Sequence, residues 1–146
     1  MFENINIHSS VAVYVQIENC VQFAVASGHL KPGDKLPSLQ EAADKTKVNL
    51  NTVAKSYRDL EVLGIVYSRR GSGVFIQNGA EARCKANCHR RIVARLHEVT
   101  TEAKTAGMTP QEIKAVCAAS YASDGDPYGE VPEAVLALAK TKTKSK

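Results

Sequence analysis

The sequence predicts a mainly α fold with one small β-hairpin: a helix-turn-helix followed by a wing over residues 10–78, then a short helical C-terminal region. Three observations predict it. Ser38 precedes Glu41 by three residues at the head of a helical pattern, the spacing of a capping box. Val53, Tyr57 and Leu60 recur at helical spacing a few residues later. Two β-branched and aromatic runs, Ile65-Val66-Tyr67-Ser68 and Gly73-Val74-Phe75-Ile76, then flank Arg69-Arg70-Gly71-Ser72, which has turn chemistry.

The elements follow in order. Val11, Tyr14, Ile17, Val21, Ala24 and Val25 form one apolar face, which predicts a helix over 10–27. Ser9 or Ser10 would cap it, Gly28 would end it, and Gln16, Glu18, Asn19 and Gln22 fall mostly off its apolar face. Residues 29–37 carry Pro32-Gly33 and Pro37, which predicts a loop. The second helix runs from Ser38 to about Thr46, with Leu39, Ala42 and Ala43 as its small apolar face. Lys47-Val48-Asn49 is the turn, with Val48 as a buried pivot. The third helix covers 50–63, capped by Asn49 or Asn51, with Val53, Tyr57, Leu60 and Leu63 inward and Gly64 as its stop. Beyond Gly79 the composition turns Ala- and charge-rich. Ile92, Val93, Leu96, Val99 and Ala103 keep helical spacing across 80–105. Thr109-Pro110 with Glu112 starts a further helix. Residues 120–130 are rich in turn formers, and a short helix follows over 131–140. The expected domains are 10–78 for the winged helix-turn-helix, 79–122 for a helical dimerisation region, and 123–146 for a flexible segment with a short helix and a Lys-rich tail.

Composition narrows the function classes. Hydrophobic residues make up 44% and charged residues 23% of the 146, an ordinary globular balance. There is no Trp, and aromatics are only 5%, which argues against an aromatic-lined ligand site. The net charge is +4. From Lys31 to Ile76, eight Lys/Arg face five Asp/Glu, a local balance of +3. The apolar runs are too short for a membrane span, and the N-terminus lacks the pattern of a secretory leader. A cytoplasmic protein with reduced Cys20, Cys84, Cys88 and Cys117 is therefore expected. Ser/His/Asp sets, paired catalytic carboxylates and phosphate-cradling Gly loops are missing, so an enzyme is not expected.

The residues point instead to double-stranded DNA. A recognition helix presents short polar side chains near its N-terminus, while neighbouring segments hold phosphates. Asn49, Leu50, Asn51, Thr52 and Lys55 stand at that place, with Ser56 and Arg58 further along the same helix. Asn pairs with adenine, and Lys reaches guanine or phosphate. Ser38 and Gln40 head the preceding helix, where free N–H groups favour a phosphate. Arg69, Arg70 and Gly71 form a basic hairpin tip. A homodimer is expected because one helix reads only a few base pairs. Cys84-x3-Cys88-His89 leaves open a thiol- or metal-responsive sensor, and a winged helix that binds protein is the other alternative. No residue set identifies a cofactor or a resident metal.

The segments "KPGDKLPS", "VNLNTVAKSYRDLE" and "LGIVYSRRGSGVFI" resemble the GntR family of bacterial transcription regulators, and "VYVQIENCV" resembles its first helix. The similarity covers about residues 10–77. Asn49-x-Asn51-Thr52-Val53 through Tyr57, with a short C-terminal part, is similar to the YtrA-like subfamily. That resemblance implies a dimeric repressor whose C-terminal helices pair, acting on a palindromic operator, with room for a small-molecule effector. Leu50 stands where the family often has Pro or Arg, and Gln40 where it often has Arg. Leu50 suits a thymine methyl and Gln40 carries no charge, so the base preference should differ there.

Overall fold

A computed structural model describes residues 1–140 of the chain. The element order is α1 (Val13–Ala26), α2 (Leu39–Thr46), α3 (Leu50–Val62), β1 (Val66–Arg69), β2 (Gly73–Ile76), α4 (Ala80–Thr105), α5 (Pro110–Ala122) and α6 (Glu133–Lys140). The chain divides into two compact units, Met1–Arg91 and Ile92–Lys146, and α4 runs through the division.

The core of the first unit is built where α1, α2 and α3 meet. Ile17, Val21 and Val25 of α1 are buried, as are Ala42 and Ala43 of α2 and Val53, Tyr57 and Leu60 of α3. Each large aliphatic side chain so buried contributes about 1.5–3 kcal/mol. Ala42 and Ala43 keep α2 thin enough for close approach. Ser38 caps α2 with both halves of the expected box: its Oγ accepts from Glu41 N–H and Glu41 Oε2 accepts from Ser38 N–H. Such a cap is worth about 1 kcal/mol.

The turn into α3 uses Lys47 in the left-handed conformation, φ 57°. A glycine adopts this more cheaply, so the non-glycine residue stores a little strain there. Val48 N–H donates to Ala43 C=O, closing α2. Val48, expected as a buried pivot, is only half-buried and lies outside the core cluster. At the other end of α3, Gly64 N–H donates to Glu61 C=O and Ile65 N–H to Leu60 C=O. Gly64 at φ +72° completes this stop, and the buried Ile65 lies beyond it. Leu63 is the C-cap and is 45% exposed, so the expected inward position is corrected: the helix ends one residue earlier and turns it out.

The hairpin pairs Val66 with Ile76, Tyr67 with Phe75, Ser68 with Val74 and Arg69 with Gly73. Ser72 N–H donates to Arg69 C=O and Gly71 sits at φ +78°, the third position of a type II turn. The segment expected as a plain loop supplies a short third rung. Leu36 N–H donates to Val74 C=O, Ile76 N–H to Asp34 C=O and Gly33 N–H to Ile76 C=O. Pro32 and Pro37 hide this pairing from a local reading, because Leu36 is then the one apolar residue of a very short run.

α1 departs most from expectation. It starts at Val13 with Ala12 as N-cap, and Ser9 Oγ instead accepts from Val11 N–H. Gly28 at φ +80° follows its C-cap, Ser27. Gln16, Glu18, Asn19 and Gln22, placed off the apolar face by periodicity, are all buried. Tertiary cover on several sides explains this. Phe2 is buried in the core cluster, with Met1 and Ile5 packed against it, so the first residues wrap the helix. Gln16 pins that segment: its Nε2 donates to Asn6 C=O (2.8 Å) and Val11 C=O (2.7 Å), and its Oε1 accepts from Asn6 N–H (2.8 Å).

α4 changes character along its length. Ala80, Cys84 and Cys88 are buried in the first unit. In the second unit, Ile92, Val93, Leu96 and Val99 are all 47–57% exposed. α5 has the expected Thr109–Glu112 box with Pro110 at its start. Tyr128 is buried, so the turn-rich segment 120–130 carries one anchored aromatic. The short C-terminal helix is present as α6, and the Lys-rich tail beyond it lies outside the described residues.

Replacing Gln16 by Ala removes three hydrogen bonds at a fully buried position. The expected outcome is a loss of about 2–3 kcal/mol in urea unfolding, with faster proteolysis of residues 1–12. A loss below about 0.5 kcal/mol would show that the clamp does not hold the N-terminal segment.

Candidate nucleic-acid interface

α3 has two faces. Val53, Ser56, Tyr57 and Leu60 are buried, while Leu50, Asn51, Lys55 and Arg58 are exposed and Thr52 is half-buried. Asn51, Lys55 and Arg58 lie at i, i+4 and i+7, one stripe of the outward surface. The back of α3 is fixed by Tyr57, whose hydroxyl donates to Pro37 C=O at 2.8 Å. Burial raises the Tyr57 pKa, keeping the phenol neutral and donating.

The first turn of α3 sorts the two asparagines. Asn49 Oδ1 accepts from Asn51 N–H at 2.8 Å, so Asn49 is the N-cap. The Asn51 side chain is exposed and has no part in the cap. Leu50 is 42% exposed, an apolar side chain presented to solvent at the tip of the helix. On α2, Gln40 is exposed and its Nε2 donates to Asp44 Oδ1 at 2.9 Å, a bond that does not use its carbonyl oxygen.

Ser56 is a correction. It is fully buried and its Oγ donates to Tyr14 C=O and Thr52 C=O, both at 3.0 Å. The side chain fastens α3 to α1 and is not available to a ligand. Its small polar character looked like a reading residue because periodicity alone does not separate a buried hydroxyl from an exposed one.

The wing stands beside α2. A cleft of about 370 Å³ lies between them, lined by Lys35, Ser38, Arg69, Gly71 and Ser72 among others. Lys35 crosses the hairpin so closely that a Cβ on Gly73 would come 2.6 Å from its Cε. The flexible end of Lys35 could shift to admit a Cβ, so it is φ +127° that calls for glycine at position 73. Arg69 lies 5.9 Å from the Phe75 ring centroid, and Ser68 N–H donates to Glu61 Oε1, which ties the wing to the end of α3. Arg70 and Gly71 are exposed at the tip. Sequence reasoning counted Lys35 only as local charge, because its neighbour across the sheet is distant in the chain.

The face is charged on both signs. Lys55 Nζ lies 2.6 Å from Asp59 Oδ2 and 4.2 Å from the Tyr14 ring centroid. That hydrogen bond raises the Lys55 pKa and lowers that of Asp59. Behind them, Glu18 on α1 is 8% exposed. Burial pushes its carboxyl up to about 7, helped by a hydrogen bond and repulsion from Asp59 and opposed by Lys55 and Arg91. Its Oε1 has no hydrogen-bond partner among the described residues.

The cysteine pair lies elsewhere, on the buried side of α4. Burial and the nearby Cys88 push the Cys84 thiol up to about 11, and burial raises Cys88 against the opposing Arg91. Both shifts disfavour thiolate, the reactive and metal-binding form. Among the described residues no group of three or more His, Cys, Asp or Glu is placed to hold a metal ion.

The model of bacterial regulatory proteins of the gntR family matches residues 13–76. The HTH-type transcriptional regulator YhcF of Bacillus subtilis is 39% identical over 107 residues, covering 72% of this chain and 86% of the relative. The chain belongs to the gntR family. The HTH-type transcriptional repressor YtrA of Bacillus subtilis is 34% identical over 105 residues, 72% of this chain and 81% of that protein. Among solved structures, a transcriptional antiterminator from Listeria monocytogenes EGD-e aligns with TM-score 0.62 at 30% identity, over 88% of this chain and 95% of that one. YtrA from Sulfolobus acidocaldarius, a GntR-family transcription factor, aligns with TM-score 0.53 at 31% identity, over 67% and 99%. As a gntR-family, YtrA-like protein with a winged helix-turn-helix, this chain is a transcription regulator and not an enzyme.

Two measurements test the chemistry of this region. Cys84 and Cys88 should react slowly with an aromatic disulfide reagent in the folded protein at pH 8, and the exposed Cys117 quickly. Four equally fast thiols would contradict their burial. The pH dependence of stability should carry the mark of Glu18. The unfolded chain ionises this group near 4.5 and the folded chain near 7. Between those values the folded state holds a proton that the unfolded state has released. Stability therefore falls as pH rises through that window and stays lower above it. Thermal melting of Glu18→Gln should lack this fall.

Proposed function

We propose that this gntR-family regulator binds a palindromic operator as a homodimer and represses transcription from it. The observation that carries the reading is the two-faced α3: Asn51, Thr52, Lys55 and Arg58 stand outward on a helix whose other face is locked into the core. Asn51 suits adenine, Thr52 offers a hydroxyl and a methyl, and Leu50 suits a thymine methyl. Lys55 and Arg58 reach guanine or phosphate. Ser38, Gln40 and Asn49 flank the groove, with phosphate contacts from the head of α2. Arg69, Arg70 and Gly71 bring the wing tip to the backbone or minor groove. Ser56 leaves this set, for the reason already given.

The second unit supports pairing. Ile92, Val93, Leu96 and Val99 expose a continuous apolar stripe that a lone soluble helix does not need. An apolar groove of about 490 Å³ is lined by Val116 of α5 and by Val135 and Leu136 of α6, among others. A second copy would cover such surfaces and set two recognition helices at a fixed spacing. Repression is inferred from the similarity to YtrA of Bacillus subtilis, a transcriptional repressor. No helix among the described residues is long and apolar enough to cross a membrane, which agrees with a regulator working where the DNA is.

A duplex selected by the protein from a random pool provides the probe. Asn51→Ala with Thr52→Ala should cost about 1–3 kcal/mol of discrimination for that duplex over a scrambled one. Ser56→Ala should lower stability and leave that discrimination unchanged. Arg69→Ala and Arg70→Ala should each flatten the logarithmic salt slope by about one. Selection that yields no sequence, with no salt-dependent binding, would favour a winged helix that binds protein instead.

A further inference from the structure

Two cations share one face of the wing. The hairpin register sets Arg69 opposite Gly73, and Lys35 bridges Phe75 from the other side of β2. Residues opposite one another on an antiparallel ladder share a face, and so do positions two apart on a strand. Lys35, Arg69, Gly73 and Phe75 therefore stand on the same face. The backbone around Lys35 is fixed: Leu36 N–H donates to Val74 C=O at 2.8 Å, and Ile76 N–H donates to Asp34 C=O at 2.9 Å. The Lys35 arm runs over the bare Gly73, with Nζ 3.5 Å from where a Cβ would stand. Arg69 borders the same face, 5.9 Å from the Phe75 ring centroid. Neither cation has an ion pair among the described residues, whereas Lys55 holds Asp59 at 2.6 Å. Glu41, an acid whose charge Lys35 feels, is engaged elsewhere, its Oε2 accepting from Ser38 N–H at 2.7 Å. Like charges gathered on one face of a sheet oppose folding unless an anion offsets them. Both cations line the cleft of about 370 Å³ that Ser38 and Leu39 of the α2 head also line.

We propose that Lys35 is a phosphate-binding residue, which with Arg69 holds a phosphate of the DNA backbone in the cleft between the wing and the head of α2. The inference rests on the DNA-binding reading, in which the wing tip and the head of α2 meet the backbone and Lys35 has no assigned part. A phosphate supplies the missing negative charge and presents several acceptor oxygens. The Lys35 ammonium is a compact charge with three donors, so it can meet one oxygen while the planar Arg69 fork takes others. Its backbone is already ordered by the strand pairing, so only the arm loses freedom on binding. A phosphate contact positions the protein and carries no sequence information. Lys35 therefore adds grip and does not choose bases.

The test is anisotropy of two labelled duplexes, one selected from a random pool and one scrambled, over a series of salt concentrations. The wild type, Lys35→Met, Lys35→Arg and Lys31→Met are compared. Lys31 is exposed in the same loop and does not line the cleft, so it controls for net charge. Lys35→Met should bind both duplexes about tenfold more weakly near 0.1 M salt and flatten the logarithmic salt slope by about one, the scale of one lost phosphate contact. Discrimination between the duplexes should not change. Lys35→Arg should keep the wild-type slope, and so should Lys31→Met. Wild-type affinity and slope in Lys35→Met overturn the proposal while leaving DNA binding intact. Equal losses in Lys35→Met and Lys31→Met overturn it as well, reducing the effect to net charge. A loss confined to the selected duplex overturns it by making Lys35 a base-reading residue. Absence of wild-type binding to either duplex in low salt overturns the DNA reading and this inference together. If Lys35→Met shifts thermal melting, Lys35→Gln takes its place, and an unchanged slope in that variant overturns the proposal.

Discussion

The structure depends on one constraint: a helix of thirteen residues must bury one side completely while leaving the other bare. Val53, Tyr57 and Leu60 meet Ile17, Val21 and Val25 of α1 and the small Ala42 and Ala43 of α2 in one core cluster. Two polar ties remove the remaining freedom. Ser56 bonds to the backbone of α1, and Tyr57 bonds to Pro37 ahead of α2. A recognition helix so held cannot roll, and its outward side chains keep one register relative to the wing. The wing is in turn tied to the end of α3 through Glu61 and to the strand-like segment around Lys35. Preorganisation of this kind spends binding free energy on the ligand and not on ordering the protein.

The cost appears on α1. Its polar side chains are covered as well as its apolar ones. Gln16 is repaid by three hydrogen bonds to the N-terminal segment. Gln22 has a buried Oε1 without a partner among the described residues, and nothing in the structure explains it. Burial pushes the Glu18 carboxyl up to about 7, and its Oε1 has no hydrogen-bond partner among the described residues.

α4 belongs to both units and serves them differently. Its first turns contribute Ala80, Cys84 and Cys88 to the core, where burial keeps the thiols protonated. Arg83 reaches back to Gly64 C=O at 2.8 Å and satisfies the end of α3. Further on, the same helix presents Ile92, Val93, Leu96 and Val99 outward. The cysteines that suggested a sensor are therefore better described as small core residues, and the apolar stripe beyond them is exposed.

Local chemistry was enough to read much of this chain from its residues. The Ser38–Glu41 and Thr109–Glu112 boxes, the Gly64 stop, the hairpin around Gly71 and the two-faced α3 depend on neighbours within a few positions. The fold class and the outward placement of Asn51, Lys55 and Arg58 follow from them. Long-range contacts decided the rest. Ser56 turned inward because α1 offers its backbone there, Lys35 joined the wing through a strand pairing across forty residues of chain, and Glu18 lies buried although periodicity puts it off the apolar face. Periodicity reports which side of a helix is apolar, but it cannot count how many sides are covered; only the tertiary structure does that.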